Sequence, residues 1–171
     1  KLFPAEYGDC IILSIGKESQ YNILIDGGLS KTYHKYIKAE IQHIKELGQK
    51  IGLMVCTHMD NDHICGLIQV LKGTNFNFIE NVWYNGFLQI VNSRFYSQKE
   101  NIFTEKDNKI LDEIISQGML LDVDQEVGIN EGMSLGVLIE ERRIPLNSAA
   151  RGQAICSELV KNKYEIAPNI F

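Results

Sequence analysis

Several features are missing from this sequence, and each absence removes a class of protein. No stretch is long and apolar enough for a transmembrane helix, which needs about 20 predominantly apolar residues. None of the 4 cysteines, Cys10, Cys56, Cys65 and Cys156, belongs to a Cys-x-x-Cys pair, so a zinc ribbon or thioredoxin-type site has no support. Cations are outnumbered, 17 Lys and Arg against 22 Asp and Glu, for a net charge of -5. That balance argues against a broad electropositive face for duplex DNA or anionic lipid. No Gly-x-x-x-x-Gly-Lys or Gly-x-Gly-x-x-Gly segment is available to cradle a phosphate. No serine stands in a nucleophile-elbow context, and internal repeats and low-complexity linkers are absent.

What is present suits a folded domain. The chain has 171 residues, 44% of them hydrophobic and 23% charged. A chain of that length buries roughly 70% of the surface its unfolded form exposes, enough for a true core. Cys10 and Cys56 lie in apolar runs and read as small buried residues. Their sparse spacing favours a reducing, cytoplasmic setting over a disulfide framework.

The pattern of apolar residues predicts a mixed α/β layer structure in one domain. Cys10 to Ile15 and Tyr21 to Ile25 read as an antiparallel hairpin, and the second strand ends in Asp26-Gly27-Gly28, where two glycines permit a sharp turn. Ile37, Ile41, Ile44 and Leu47 mark one face of a helix, with Gly48 as its stop. Ile51 to Thr57 is nearly all apolar, as in a strand covered on both faces. A short helix is expected from about Ile64 to Leu71, then a strand over Ile79 to Tyr84. Thr104-Glu105-Lys106-Asp107 resembles a capping box opening a helix with Ile110, Leu111, Ile114 and Ile115 buried. Another helix should start near Asn130 and bury Leu135, Leu138 and Ile139. Ala149 to Lys161 reads as either helix or loop.

Between the third strand and its helix, four potential metal ligands fall within six residues: His58, Asp60, Asp62 and His63. If the chain leaves the strand extended, His58 and Asp60 point to one side, because side-chain direction repeats every two residues. Asp62 and His63, where the chain turns into the helix, can approach from another direction. Imidazole nitrogen with carboxylate oxygen suits Zn²⁺, Mn²⁺ or Fe²⁺, and two carboxylates can serve one metal or two. The competing reading is a polar loop in which Asp60 or Asp62 caps the helix and both histidines are solvated. His34 and His43 read as helix-surface residues, Trp83 and Tyr84 as core, and Arg142-Arg143 as a solvated helix end.

Thr57-His58-Met59-Asp60-Asn61-Asp62-His63, followed by Ile64-Cys65-Gly66, resembles the metallo-β-lactamase superfamily, in particular its His-x-Asp-x-Asp-His branch. Asn22-Ile23-Leu24-Ile25-Asp26-Gly27-Gly28 is similar to that superfamily's first motif. Tyr7-Gly8-Asp9-Cys10-Ile11-Ile12-Leu13 is similar to the opening strand of the metallohydrolase domain of bacterial DNA-uptake channels. The resemblance covers residues 5–72 and continues more weakly through Val82-Trp83-Tyr84-Asn85. It implies an αββα sandwich with metals at one edge. His58 and Asp60 would hold a first ion, and Asp62 and His63 a second, with Asp62 also the catalytic carboxylate. Asp60 stands where most members carry a histidine, which hardens that site toward oxygen ligation. Asp26 would orient the metal loop without ligating. Its alternative role is to serve the glycine turn by bonding nearby backbone amides.

The resemblance also implies ligands that are missing here. Members complete the site with a later His, a bridging Asp and a final His, whereas no histidine follows His63 in this sequence. Asp107, Asp112, Asp122 and Asp124 are the carboxylates left for the bridging position. The expectation is therefore an N-terminal portion, 1-171, of a larger sandwich. A missing C-terminal part or a partner would complete its site.

The function expected is a metal-dependent hydrolase with a metal-bound hydroxide as nucleophile, Zn²⁺ first and Mn²⁺ second, two ions in the complete site. A phosphodiester substrate, nucleic acid or nucleotide, is favoured. A lactone, thioester or β-lactam on the same fold, and a non-catalytic interaction module, are the alternatives.

Overall fold

The computed structural model of the chain describes residues 1–17, 20–75, 77–86, 89 and 129–156. Two strands open it, β1 (Ile11–Ile15) and β2 (Tyr21–Ile25), paired antiparallel as the sequence predicts. Ile12 faces Leu24 across the hairpin, and both are buried. A continuous helical stretch follows: α1 (Ser30–Thr32), a π-helical turn (Tyr33–Ile37) and α2 (Lys38–Glu46). It returns the chain to β3 (Ile51–Cys56), which lies parallel to β2.

Ile37, Ile41 and Ile44 are buried on the helical stretch, but Leu47 is 53% exposed. The helix has ended before Leu47 can join the stripe. The amides of Gly48 and Gln49 fold back onto the carbonyls of Lys45 and Ile44, the paired bonds that close a helix at a left-handed glycine.

The third strand is buried at Ile51, Gly52, Leu53, Met54 and Cys56, consistent with cover on both faces. From its end, α3 (Asn61–Gly73) leads across to β4 (Val82–Tyr84), parallel to β3, giving the sheet order β1-β2-β3-β4. A last helix, α4 (Ile129–Glu141), packs on α3 and buries Leu135 and Ile139. The architecture is mixed α/β, as expected. The core runs between sheet and helices through Leu24, Met54, Ile64, Leu67, Leu71 and Val82. Each such side chain contributes about 1.5–3 kcal/mol by leaving water.

Each outer edge of the sheet is covered over part of its length. Along β1, the Phe3 amide donates to the Cys10 carbonyl, and Leu2 bridges to Ile11. Along β4, the Val82 amide donates to the Pro145 carbonyl and the Asn147 amide to the Val82 carbonyl. The fully buried side chain of Asn147 then does what a strand residue would do. Its Oδ1 accepts from the Tyr84 amide at 2.8 Å and its Nδ2 donates to the Tyr84 carbonyl at 2.8 Å.

Among the described residues no helix is long and apolar enough to cross a membrane. The helix expected from Thr104 and the carboxylates Asp107, Asp112, Asp122 and Asp124 lie outside the described residues. Of Ala149 to Lys161, the described part forms a 3-10 turn (Ser148–Ala150) and then irregular backbone as far as Cys156. Arg142 is more than a solvated helix end, for its guanidinium donates to the Thr74 carbonyl at 2.6 Å.

Candidate metal centre

Strands β2 and β3 run parallel and stop together, and the crevice beyond such strand ends is where open α/β sheets place their chemistry. The ladder persists one step past β2, with the Asp26 amide on the Val55 carbonyl at 2.9 Å. Asp26 then takes a left-handed φ of 52°, a conformation an aspartate tolerates. The turn is therefore made by Asp26 and Gly28, not by the glycine pair alone. Gly27 is needed for a different reason. A Cβ placed on Gly66 of α3 would lie 1.8 Å from the Gly27 carbonyl oxygen, and one on Gly27 would lie 2.3 Å from the Leu67 nitrogen. The two backbones touch directly, tied by Gly27 N–H to the His63 carbonyl and Gly66 N–H to the Gly28 carbonyl, both 2.8 Å.

The opening loop is held to the same place. A Cβ on Gly8 would fall 1.7 Å from the Asp62 carbonyl oxygen, so only glycine lets that loop lie against the first turn of α3.

The helix starts at Asn61, three residues before the expected Ile64. The Asp60 carbonyl already accepts from the His63 and Ile64 amides at 2.9 and 3.0 Å, so the first turn forms inside the acidic segment. Apolar periodicity, which signalled the helix, begins only after that turn. Asp60 holds the position before the helix, yet its side chain makes no capping bond. The carboxylate turns instead toward His58, with Oδ2 3.6 Å from Nε2, while Met59 between them packs on the core. Asp62 lies in the first helical turn, where the helix dipole favours a negative charge, and its Oδ2 is 3.9 Å from His63 Nε2.

Asp26 organises the centre from beneath. It is 1% exposed, and every contact of its carboxylate is with the neighbouring strand end or helix. Oδ1 accepts the Thr57 amide at 2.8 Å, and Oδ2 accepts the Thr57 hydroxyl at 2.6 Å. Oδ2 also faces His63 Nδ1 at 2.9 Å. A carboxylate only accepts, so Nδ1 of His63 carries a proton, and in the neutral ring Nε2 keeps its lone pair. The alternative in which Asp26 serves amides of its own turn is not what the chain adopts.

Among the described residues, Asp26, His58 and His63 form one group, with a ligand atom of each within 4.8 Å of the other two. The imidazoles of His58 and His63 lie tilted against each other, 3.7 Å between centroids and 49° between planes. Asp60 and Asp62 each flank one of them. Two ligands on one zinc ion sit about 3.3 Å apart, given bonds of about 2.0–2.1 Å. The 3.6 and 3.9 Å donor pairs approach that spacing. Among the described residues no cysteine belongs to this group; burial, and then the charge of Asp26, pushes the Cys10 and Cys56 thiols up to about 12. A nitrogen and oxygen set of this kind fits a borderline or hard dication. His34 and His43 stand exposed on the helical stretch, apart from this group.

Thr57 opens the motif that carries the resemblance, but neither the motif nor its spacing assigns its hydroxyl a role; the signal in the sequence is a hydroxyl residue at the end of a buried strand directly before the first histidine. No family model matches the chain, and neither does any curated protein.

Proposed function

We propose that this protein is a divalent-metal-dependent hydrolase acting on a phosphodiester, and that it carries part of a metallo-β-lactamase-like αββα sandwich. The observation that carries this reading is the buried Asp26 carboxylate behind two histidines. Its bond to His63 Nδ1 leaves the opposite ring nitrogen bare, next to Asp62. Carboxylate–histidine pairs of this kind set ligand tautomer and basicity in metal sites. The resemblance of the Asp26-Gly27-Gly28 and His58-to-His63 segments to the superfamily's motifs supports the same conclusion.

His58, Asp60, Asp62 and His63 would hold the cation or cations, Zn²⁺ first and Mn²⁺ second. Bound there, a dication supplies Lewis-acid polarisation of the ester and a water of lowered pKa. The chain's own residues supply the rest. Asp26 keeps the proton on His63 Nδ1, and the carboxylate of Asp62 is the group placed to take a proton from an attacking water. Asp60, with a side chain 73% exposed, faces the solvent side from which substrate would arrive.

A second reading has one specific observation behind it: no histidine follows His63. A centre short of ligands fits a module completed by a partner, or one that binds metal without hydrolysis. A titration of Zn²⁺ and Mn²⁺ against bis(p-nitrophenyl) phosphate and a chromogenic lactam separates the readings. Ester cleavage that His63→Ala abolishes is the expected result. Lactam hydrolysis with the ester at background overturns the substrate class. Metal binding with neither reaction favours the partner-completed module, and no bound metal by elemental analysis removes the hydrolase reading.

A further inference from the structure

We infer that Thr57 is a positioning residue that fixes the tautomer of His58, so that one oxygen of Asp26 sets the protonation geometry of both histidines. The inference rests on the metal reading for its purpose, but its hydrogen-bond logic is independent of any ion. Thr57 Oγ1 lies 2.6 Å from Asp26 Oδ2 and 2.9 Å from His58 Nδ1. A hydroxyl has one hydrogen to give and two lone pairs to receive with. The 2.6 Å separation is that of a hydroxyl donating to a carboxylate, about 2.5–2.7 Å. Were the hydrogen turned toward His58, an oxygen lone pair would face the carboxylate at that distance with nothing between them. The hydrogen therefore belongs to Asp26, and Oγ1 meets His58 as an acceptor.

His58 Nδ1 must then be the donor, which puts its proton on Nδ1 and its lone pair on Nε2. That is the same tautomer Asp26 imposes directly on His63 through the 2.9 Å bond. The two rings thus present the same nitrogen outward, each beside a flanking carboxylate, Asp60 for His58 and Asp62 for His63. Thr57 touches neither of those nitrogens and acts only through the ring it holds. Without the hydroxyl, His58 has no partner to hold the proton on Nδ1, and the ring is free to take the other tautomer, whose Nε2 cannot ligate.

The test is imidazole ¹⁵N spectroscopy of the metal-free full chain at a pH where both rings are neutral, for wild type, Thr57→Ser and Thr57→Val. Wild type and Thr57→Ser should show both histidines protonated on Nδ1. Thr57→Val should shift His58 toward the Nε2-protonated form and leave His63 unchanged. Zn²⁺ titration of the same proteins should show Thr57→Val binding about 10–100-fold more weakly and Thr57→Ser close to wild type. A wild-type His58 protonated on Nε2, or a Thr57→Val protein with unchanged tautomer populations, overturns the assignment. If wild type binds no divalent ion, the metal reading fails, while the spectra still decide what Thr57 does. Because Thr57 is exposed, valine should be accommodated, and the wild-type spectrum alone can refute the inference.

Discussion

The cluster has a buried half and an exposed half, built from the same residue types to different ends. Asp26 is 1% exposed and His63 8%, whereas the side chains of His58 and Asp60 are 46% and 73% exposed. Both halves pair an imidazole with a carboxylate. In the buried half the pair meets at 2.9 Å with every carboxylate oxygen bonded, and in the exposed half the closest approach is 3.6 Å. Low local dielectric strengthens the first pair and makes any unpaired member of it expensive, while water weakens the second. The buried half is held by its own bonds, and the exposed half is left open to solvent. A centre with only one of these properties would be either rigid and closed or open and loose.

That contrast can be broken from its strongest point downward. Asp26→Ala leaves the part-buried Thr57 amide and the buried His63 ring N–H without their acceptor. It should lower stability by about 2–5 kcal/mol in chemical denaturation, since each unsatisfied buried donor costs about 1–3 kcal/mol. Asp60→Ala, on the exposed side, should change stability by less than about 0.5 kcal/mol in the same measurement. If the two substitutions cost the same, the division into halves is wrong.

Gly66→Ala comes next. It forces a methyl group into the Gly27 backbone and should cost about 1–3 kcal/mol, the usual range for overpacking, with weaker divalent-ion binding by calorimetry. His63→Ala and His58→Ala should both reduce that binding, but only His63→Ala should also lower the thermal midpoint, because only His63 holds a buried partner.

One further effect is invisible at neutral pH. Cys10 and Cys56 rise from an ordinary 9.0 to about 12 in the fold, because burial disfavours the thiolate and Asp26 adds repulsion. A raised acid leaves stability intact below the unfolded value and erodes it above, so stability should fall between about pH 9 and 12. Denaturant midpoints across that range should decline less steeply in Cys56→Ala.

Much of this was legible from spacing alone. The hairpin, the doubly covered β3 and the Ile37, Ile41 and Ile44 stripe follow from side-chain periodicity, which is a local property. The ligand-rich segment was readable because four donors crowd six positions. What periodicity could not carry was the path of the backbone through that segment. The helix began inside it, at Asn61, because Asp60 offered a carbonyl to the amides that followed, not because apolar residues had started to repeat. Nor does spacing reveal that Gly27 and Gly66, 39 residues apart, meet face to face. The part of Thr57 turns on whether one hydroxyl hydrogen points to Asp26 or to His58, and exists only once three elements have come together. Leu47 shows the converse, a residue in phase with the stripe that the helix ended too soon to bury.

The partly covered borders of the sheet have a consequence for how copies of the molecule behave beside one another. An unpaired strand border is a template on which another chain can lay its own strand, the first step toward domain exchange or fibril growth. Here one border is covered by residues Leu2 and Phe3, and the other by residues 145–147 with an amide side chain imitating a peptide group. An aspartate at position 147 would keep the acceptor for Tyr84 and lose the donor, reopening a single rung. Self-association at that rung is held back by one side-chain amide, and its loss would first be felt in how the protein keeps at high concentration.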